Sequence, residues 1–210
     1  PDTDLCPIPS QKEKLWMPQL IKKKLGYQGE ILFIDHHLSH AASSFLVSPF
    51  DKAVILTLDA VGEWTTTAYG YGKGNQITLE KEIDFPHSLG MFYSAFTYHL
   101  GFEVMDGEYK VMGLASYGKP KYVDQIKKVI KIKSDGSYEL DMRYFAYHQG
   151  ERMTNQKFNK LFGEPRKKDD PVTAYHEDLA ASLQAVTEEI ILKMCHFLYG
   201  KYKIDNLCLA

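Results

Sequence analysis

Apolar positions change their spacing several times along the chain, and each change marks an element. From Lys12 to Leu25, the residues Leu15, Trp16, Leu20, Ile21 and Leu25 recur at helical spacing with lysines opposite, and Gly26 supplies a stop. Glu30 to Ile34 is a short continuous apolar run, Glu-Ile-Leu-Phe-Ile, that reads as a buried strand. Asp35, a helix-capping residue type, follows at once, and Ala41, Ala42, Phe45 and Leu46 continue at helical spacing towards Pro49. Ala53 to Leu58 predicts a second buried strand. Asp59-Ala-Val-Gly-Glu-Trp64 reads as a turn, and Thr65 to Tyr71 returns with alternating strand character. Gly74-Asn75 ends that strand, and Ile77 to Ile83 fits a third, which gives an antiparallel meander.

Helical spacing resumes over Ser88 to Leu100, through Leu89, Phe92, Tyr93 and Phe96, with Gly101 closing the element. Gly107 to Gly118 mixes glycines with charged and small residues and reads as a glycine-flanked turn leading to a Lys-rich helix over Lys121 to Lys131. Lys121, Lys127, Lys128 and Lys131 are expected on its solvated face. Residues 134 to 176 change character, with a strand expected over Ser137 to Tyr144 and a charged turn from Glu164 to Pro171, and are read as an insertion or lid-like region within one domain. Asp178 is expected to cap a long helix through Leu179, Leu183, Val186, Ile190, Ile191, Met194 and Leu198, with Gly200 as its stop. Ile204 to Ala210 has the pattern of a buried strand. The fold class that follows is α/β, a mixed sheet with an antiparallel meander and flanking helices.

Composition narrows the function classes. Of the 210 residues, 44% are hydrophobic and 13% aromatic, enough apolar material to build a core and to argue against disorder. Lys and Arg number 25 against 27 Asp and Glu, and a net charge of −2 offers no long-range pull on a nucleic-acid backbone or an anionic membrane. An anionic substrate must therefore be held locally. Cys6, Cys195 and Cys208 are far apart and odd in number, which suits a reducing, cytoplasmic setting. No apolar run reaches the ~18 residues of a membrane span. The absence of an initiating Met and the abrupt final strand create the expectation of an internal piece of a longer protein.

Three clusters could carry chemistry. In Asp35-His-His-Leu-Ser-His40, the spacing of His36 and His40 sets two imidazoles one helical turn apart on one face, where both can meet one divalent ion; on spacing alone, such a pair is more often a surface or satisfied core contact. His37 points elsewhere, towards a structural role or a substrate hydrogen bond. Asp59 ends a buried strand ahead of Gly62, a position where a carboxylate emerges and backbone can approach a phosphate, with Glu63 and the hydroxyls of Thr65, Thr66 and Thr67 beside it. An ordinary hairpin accounts for the same residues. Glu108 and Lys110 offer a carboxylate for ribose hydroxyls and an ammonium for phosphate, with a surface ion pair as the plain alternative. His87, after Pro86 at a helix start, is a weaker candidate.

Taken together, Ile34-Asp-His-His-Leu-Ser-His-Ala-Ala-Ser-Ser-Phe45, Phe85-Pro-His-Ser-Leu-Gly90, Gly107-Glu-Tyr-Lys-Val-Met-Gly-Leu-Ala-Ser-Tyr-Gly118 and Asp178-Leu-Ala-Ala-Ser-Leu-Gln184, in this order, resemble the NodU/CmcH-type O-carbamoyltransferases. The similarity spans nearly the whole chain. It implies an incomplete actin-like ATPase (ASKHA, TsaD-like) domain. It also implies a divalent metal, commonly iron, at His36 and His40 with Asp59 as a further ligand, and catalytic roles for Asp59 and His37. Nucleotide contacts are implied at Gly62, Glu63, Thr65, Glu108, Lys110 and Gly113. Such enzymes use carbamoyl phosphate and ATP to form carbamoyl adenylate and pass the carbamoyl group to a small-molecule hydroxyl acceptor, such as a sugar or an antibiotic precursor.

The same resemblance implies that a preceding phosphate-binding segment, a glycine-rich nucleotide motif, a further metal-binding Asp and a carboxy-terminal domain lie outside residues 1–210, and that these residues alone do not turn over. Two rivals stand beside it: a TsaD-like transferase acting on tRNA, which the lack of a basic stripe disfavours, and a nucleotide-binding regulatory module without catalysis. The sequence fixes neither the acceptor nor the oligomeric state.

Overall fold

The computed structural model describes residues 16–150 and 152–210, in two units, the first ending at Asp35 and the second beginning at His36. In the first, α1 spans Met17–Leu25, with a proline in its opening turn and Gly26 closing it at φ 63°, the left-handed conformation that glycine adopts without strain. The expected start at Lys12, like Cys6, lies outside the described residues. The run Ile31 to Ile34 is not a strand. It lies outside any helix or sheet of the described residues, with Leu32, Phe33 and Ile34 exposed. A continuous apolar run becomes a strand only where neighbours take its N–H and C=O groups, which composition alone does not supply.

The second unit is organised on a four-stranded mixed sheet. Its strands are β1 (Lys52–Gly62), β2 (Thr65–Lys73), β3 (Gln76–Asp84) and β6 (Leu207–Leu209), in the order β3-β2-β1-β6. The first three form the expected meander, and β6 pairs parallel to β1 with Ile55 opposite Cys208. Side chains of β1 alternate between two cores. Ala53 and Ile55 pack with Ala41 and Phe45 of α2 (His36–Phe45) and with Cys208, while Val54 and Leu56 join the large cluster on the other face. A strand buried on both faces reads as one continuous apolar run, which is why Ala53 to Leu58 was legible without a period. Phe45 is seated by Gly72 of β2: a Cβ there would lie 2.3 Å from the ring.

The large cluster is built around α3 (Leu89–His99) and α7 (Ala174–Tyr202). Ser88 caps α3 by accepting from the Met91 N–H at 3.0 Å, and Phe92 and Phe96 face inward. Residues 134–176 contribute Tyr138, Leu140, Phe145, Phe158 and Phe162 to this same core. The Phe96 ring meets Phe158 and Phe162 edge-on at 5.0 and 5.1 Å, a preferred aromatic geometry. Phe158 and Phe162 belong to α6 (Gln156–Phe162).

Several elements depart from the sequence expectation. Glu108 to Ala115 is helix α4, not a turn. The Lys121 to Lys131 helix shrinks to α5 (Val123–Ile126), followed by β4 (Ile130–Ile132) paired antiparallel with β5 (Tyr138–Leu140). Asp178 accepts from the Lys119 N–H at 2.8 Å and pairs with Lys121 at 2.6 Å, and Ser182 accepts from the Tyr122 N–H at 2.9 Å, which docks the start of the segment on α7, while from Ile130 its backbone pairs with β5 instead of continuing as helix. Lys127 likewise pairs with Glu189 of α7 at 2.7 Å, so this is not a purely solvated lysine face. Asp178 is therefore no cap. α7 begins a turn earlier, where Thr173 and His176 form a reciprocal capping box, and it runs through Gly200 to end at Lys203.

His99, at the end of α3, is buried, and its Nε2 donates to the Phe162 carbonyl at 3.2 Å. Burial disfavours the imidazolium and pulls its pKa down to about 4, the Phe162 bond offsetting only part of this. The unfolded chain takes up that proton first on acidification, so the contribution is complete above about pH 6.5 and is lost as pH falls towards 4, an effect of about 3 kcal/mol. Urea midpoints measured from pH 7 to pH 4 should fall, and His99→Phe should flatten that decline; an equal decline in both proteins would show that His99 is not responsible.

Candidate metal centre

The first turns of α2 lie against the far end of β1. His36 opens the helix and His40 follows one turn later, so both rings leave the same side of it. Opposite them, β1 is irregular: its register with β2 shifts between Leu58 and Gly62, and Asp59 sits within this bulged end. Asp59 is thus a strand residue, not part of a turn, and the actual turn is only Glu63-Trp64 between the paired residues Gly62 and Thr65. A bulge re-aims the side chains it carries, and here the carboxylate meets both imidazoles.

The three groups converge. His36 Nε2 is 2.7 Å from Asp59 Oδ2, His40 Nε2 is 3.0 Å from His36 Nε2, and His40 Nε2 is 3.6 Å from the same carboxylate oxygen. One ligand atom from each residue falls within 4.8 Å of the others, and all three residues are half-buried. Two imidazole nitrogens and a carboxylate oxygen on one side of an ion is a donor set that suits a borderline divalent metal and leaves positions open. Burial raises the Asp59 carboxyl. The Ala60 N–H bond to it, the His36 bond and the fields of His36 and His40 outweigh that and hold it below its ordinary value. It is therefore an anion, as a ligand requires.

Each supporting contact has a local cause. The Ala60 N–H donates to Asp59 Oδ1 at 2.6 Å, which leaves Oδ2 turned to the histidines. Ser88 donates to the Ala60 carbonyl at 2.6 Å and ties the start of α3 to the bulge. At Gly62 a Cβ would lie 2.4 Å from His36 Cδ2 and 3.0 Å from His37 Nε2, so the rings close over the strand only because no side chain is there. Glu63 is exposed and holds φ 62°, a left-handed conformation that favours glycine.

The other expected site residues fall into separate surroundings. His37 is buried among protein partners, with Nδ1 2.6 Å from Thr57 Oγ1 and Nε2 2.9 Å from the Thr65 carbonyl. Thr65 Oγ1 faces Glu82 and Asp84 of β3. Glu108 is occupied by the Ser94 hydroxyl at 2.6 Å and the Met105 N–H at 3.0 Å. Lys110 pairs with Asp106 at 3.7 Å and lies 5.4 Å from the Tyr109 ring centre, and Gly113 sits inside α4 beside open space. His87 Nδ1 accepts the Leu140 N–H at 3.2 Å. Thr57 and Ser88 escaped the sequence reading, since a hydroxyl in a β-branched run or ahead of a helix has an ordinary explanation.

Comparison with known proteins matches residues 10–210 to the family described as Carbamoyltransferase N-terminus. The chain belongs to that family. It is 50% identical over 209 residues to Uncharacterized protein sll1178 of Synechocystis, covering 95% of this chain and 34% of that protein. Nodulation protein NolNO of Sinorhizobium fredii is 32% identical over 182 residues, 85% of this chain and 25% of its own length. This carbamoyltransferase amino-terminal chain thus spans about a third or less of the relatives it matches. A solved Ppx/GppA family member from Aquifex aeolicus aligns over 95% of this chain and 65% of its own at 14% identity, with a TM-score of 0.31, too low to define the fold. No helix of the described residues is long and apolar enough to cross a membrane.

The close approach at Gly62 yields a direct test. Gly62→Ala should displace His36 and His37, lowering the urea midpoint by an amount equivalent to about 1–3 kcal/mol and weakening cobalt(II) binding measured by calorimetry. A variant with both quantities unchanged would show that the rings can move aside at no cost.

Proposed function

We propose that this chain is the metal-bearing part of an actin-like ATPase domain in an O-carbamoyltransferase that uses ATP and carbamoyl phosphate. The convergence of His36, His40 and Asp59 carries this reading, because three residues from a helix and a strand meet at one point in a chain of this family. In the proposed reaction, water cleaves carbamoyl phosphate to carbamate and inorganic phosphate, and a carbamate oxygen then attacks the α-phosphate of ATP, displacing pyrophosphate and yielding carbamoyl adenylate. An acceptor hydroxyl then attacks the carbamoyl carbon, AMP departs with the bonding pair, and the hydroxyl proton passes to a base.

A divalent ion held by His36, His40 and Asp59 would supply Lewis acidity for the charge that develops at the carbonyl. The chain's own contribution is to hold those donors ready. Asp59 stays ionised, the Ala60 N–H fixes its free oxygen, and Ser88 fixes Ala60. Iron fits this set, since two imidazoles and one carboxylate with open positions suit iron(II). Lys110, exposed beside Asp106, can turn its ammonium to a nucleotide phosphate with little rearrangement, and Gly113 offers open space beside it. Gly62, Glu63 and Thr65, at the hairpin next to the ligands, belong to the same nucleotide-facing side in this reading. The acceptor is a small hydroxyl compound.

Metal analysis of the chain against a His36→Ala, His40→Ala double variant tests the ligand set, with stoichiometric metal expected in the first and none in the second. For the whole protein, carbamoyl-phosphate-dependent exchange of pyrophosphate into ATP should be present in wild type and reduced at least 100-fold by the double variant. Equal metal content in both chains, or exchange that survives the double substitution, would overturn the assignment.

A further inference from the structure

We infer that His37 is a positioning residue for the metal centre: the Thr57–His37–Thr65 chain of hydrogen bonds fixes the rotation of α2 at the height where His36 and His40 meet Asp59. This rests on the metal-site reading above. Two of the three ligands come from α2 and the third from β1, so the ion's geometry depends on how the helix is turned against the strand. The apolar anchors of α2, Ala41 and Phe45, lie about one and two turns beyond His37, so His37 is the buried anchor at the end of the helix where the ligands stand.

His37 acts at the right place. On a helix it projects about 100° from His36, and this turns it inward while the ligands face the bulge. Its ring reaches both strands of the hairpin, Thr57 of β1 through Nδ1 and Thr65 of β2 through Nε2. A carbonyl can only accept, so Nε2 carries a proton towards Thr65, while Nδ1 is held by the Thr57 hydroxyl, which also lies 3.2 Å from the Ala68 carbonyl. Neither nitrogen is left for an ion. The ring also backs both ligands, with centroids 5.7 Å from His36 and 5.9 Å from His40. Contacts of this kind, one step removed from the ion, set ligand orientation and commonly change metal affinity 10–100-fold when removed.

A buried histidine that merely stabilises the core would share these contacts, so stability has to be separated from ligand placement. Thr57→Val keeps the side-chain shape and removes the hydroxyl that His37 Nδ1 and the Ala68 carbonyl share, the Ala68 carbonyl lying in the β1–β2 pairing; Thr57→Ser restores it. In the chain as it stands, Thr57→Val should bind cobalt(II) about 10–100-fold more weakly with altered visible absorption, while remaining folded by circular dichroism, and Thr57→Ser should behave like wild type. Long-range 1H–15N spectra of the metal-free chain give a second readout: His37 should show the Nε2–H tautomer, and Thr57→Val should shift the ring signals of His36 and His40. A folded Thr57→Val protein with wild-type cobalt affinity and unmoved His36 and His40 signals would reduce His37 to a core residue, as would an Nδ1–H tautomer. If wild type takes up no cobalt, the metal reading fails on its own, and the ring shifts still decide whether His37 positions its neighbours.

Discussion

β1 is packed on both faces and paired on both edges, and the remaining elements are arranged to meet those demands. One face needs Ala41 and Phe45 of α2, the other needs α3 and α7, and the edges need β2 and β6. Each requirement brings a distant part of the chain to the same strand. The bulged end of β1 inherits this rigidity, because α2 and the start of α3 close on it from either side through His37 and Ser88.

Precision at the ligand set follows from that closure and not from the three ligands themselves. A carboxylate between two imidazoles gains from their bonds only if it stays ionised, and an irregular strand end would otherwise leave it mobile in water. Asp59 is pinned by its neighbour's amide, that neighbour's carbonyl is held by Ser88, and Gly62 removes the atom that would keep the histidines away. Small residues and hydroxyls around the site therefore matter as much as the residues that would touch an ion.

What the sequence revealed and what it concealed divide along a physical line. The meander, α3 and the pairing of His36 with His40 rest on local period and turn chemistry, which one chain displays openly. The Lys121 to Lys131 stretch has the spacing of a helix with a solvated lysine face, yet from Ile130 its backbone pairs with Tyr138 to Leu140 and Lys127 pairs with Glu189, partners that lie outside the segment. Asp178 looked like a cap for the same reason, being an acidic residue ahead of an apolar run, while Thr173 and His176 made the cap one turn earlier. At the site, the histidine spacing was visible, but the bulge that turns Asp59 towards it is a property of two paired strands. The roles of Thr57 and Gly62 appear only when α2 lies against the hairpin.

The parallel pairing of β6 with β1 also bears on how the unit assembles. Asn206 donates to the Lys52 carbonyl across 154 positions of sequence, and closing a loop of that size costs about 4–5 kcal/mol of chain entropy before any contact repays it. The meander, with its short turns, can form long before β6 arrives. During that interval the apolar residues of β1 present an open edge to the solvent and to other chains, so newly made protein is most prone to association while α7 is still delivering its last strand.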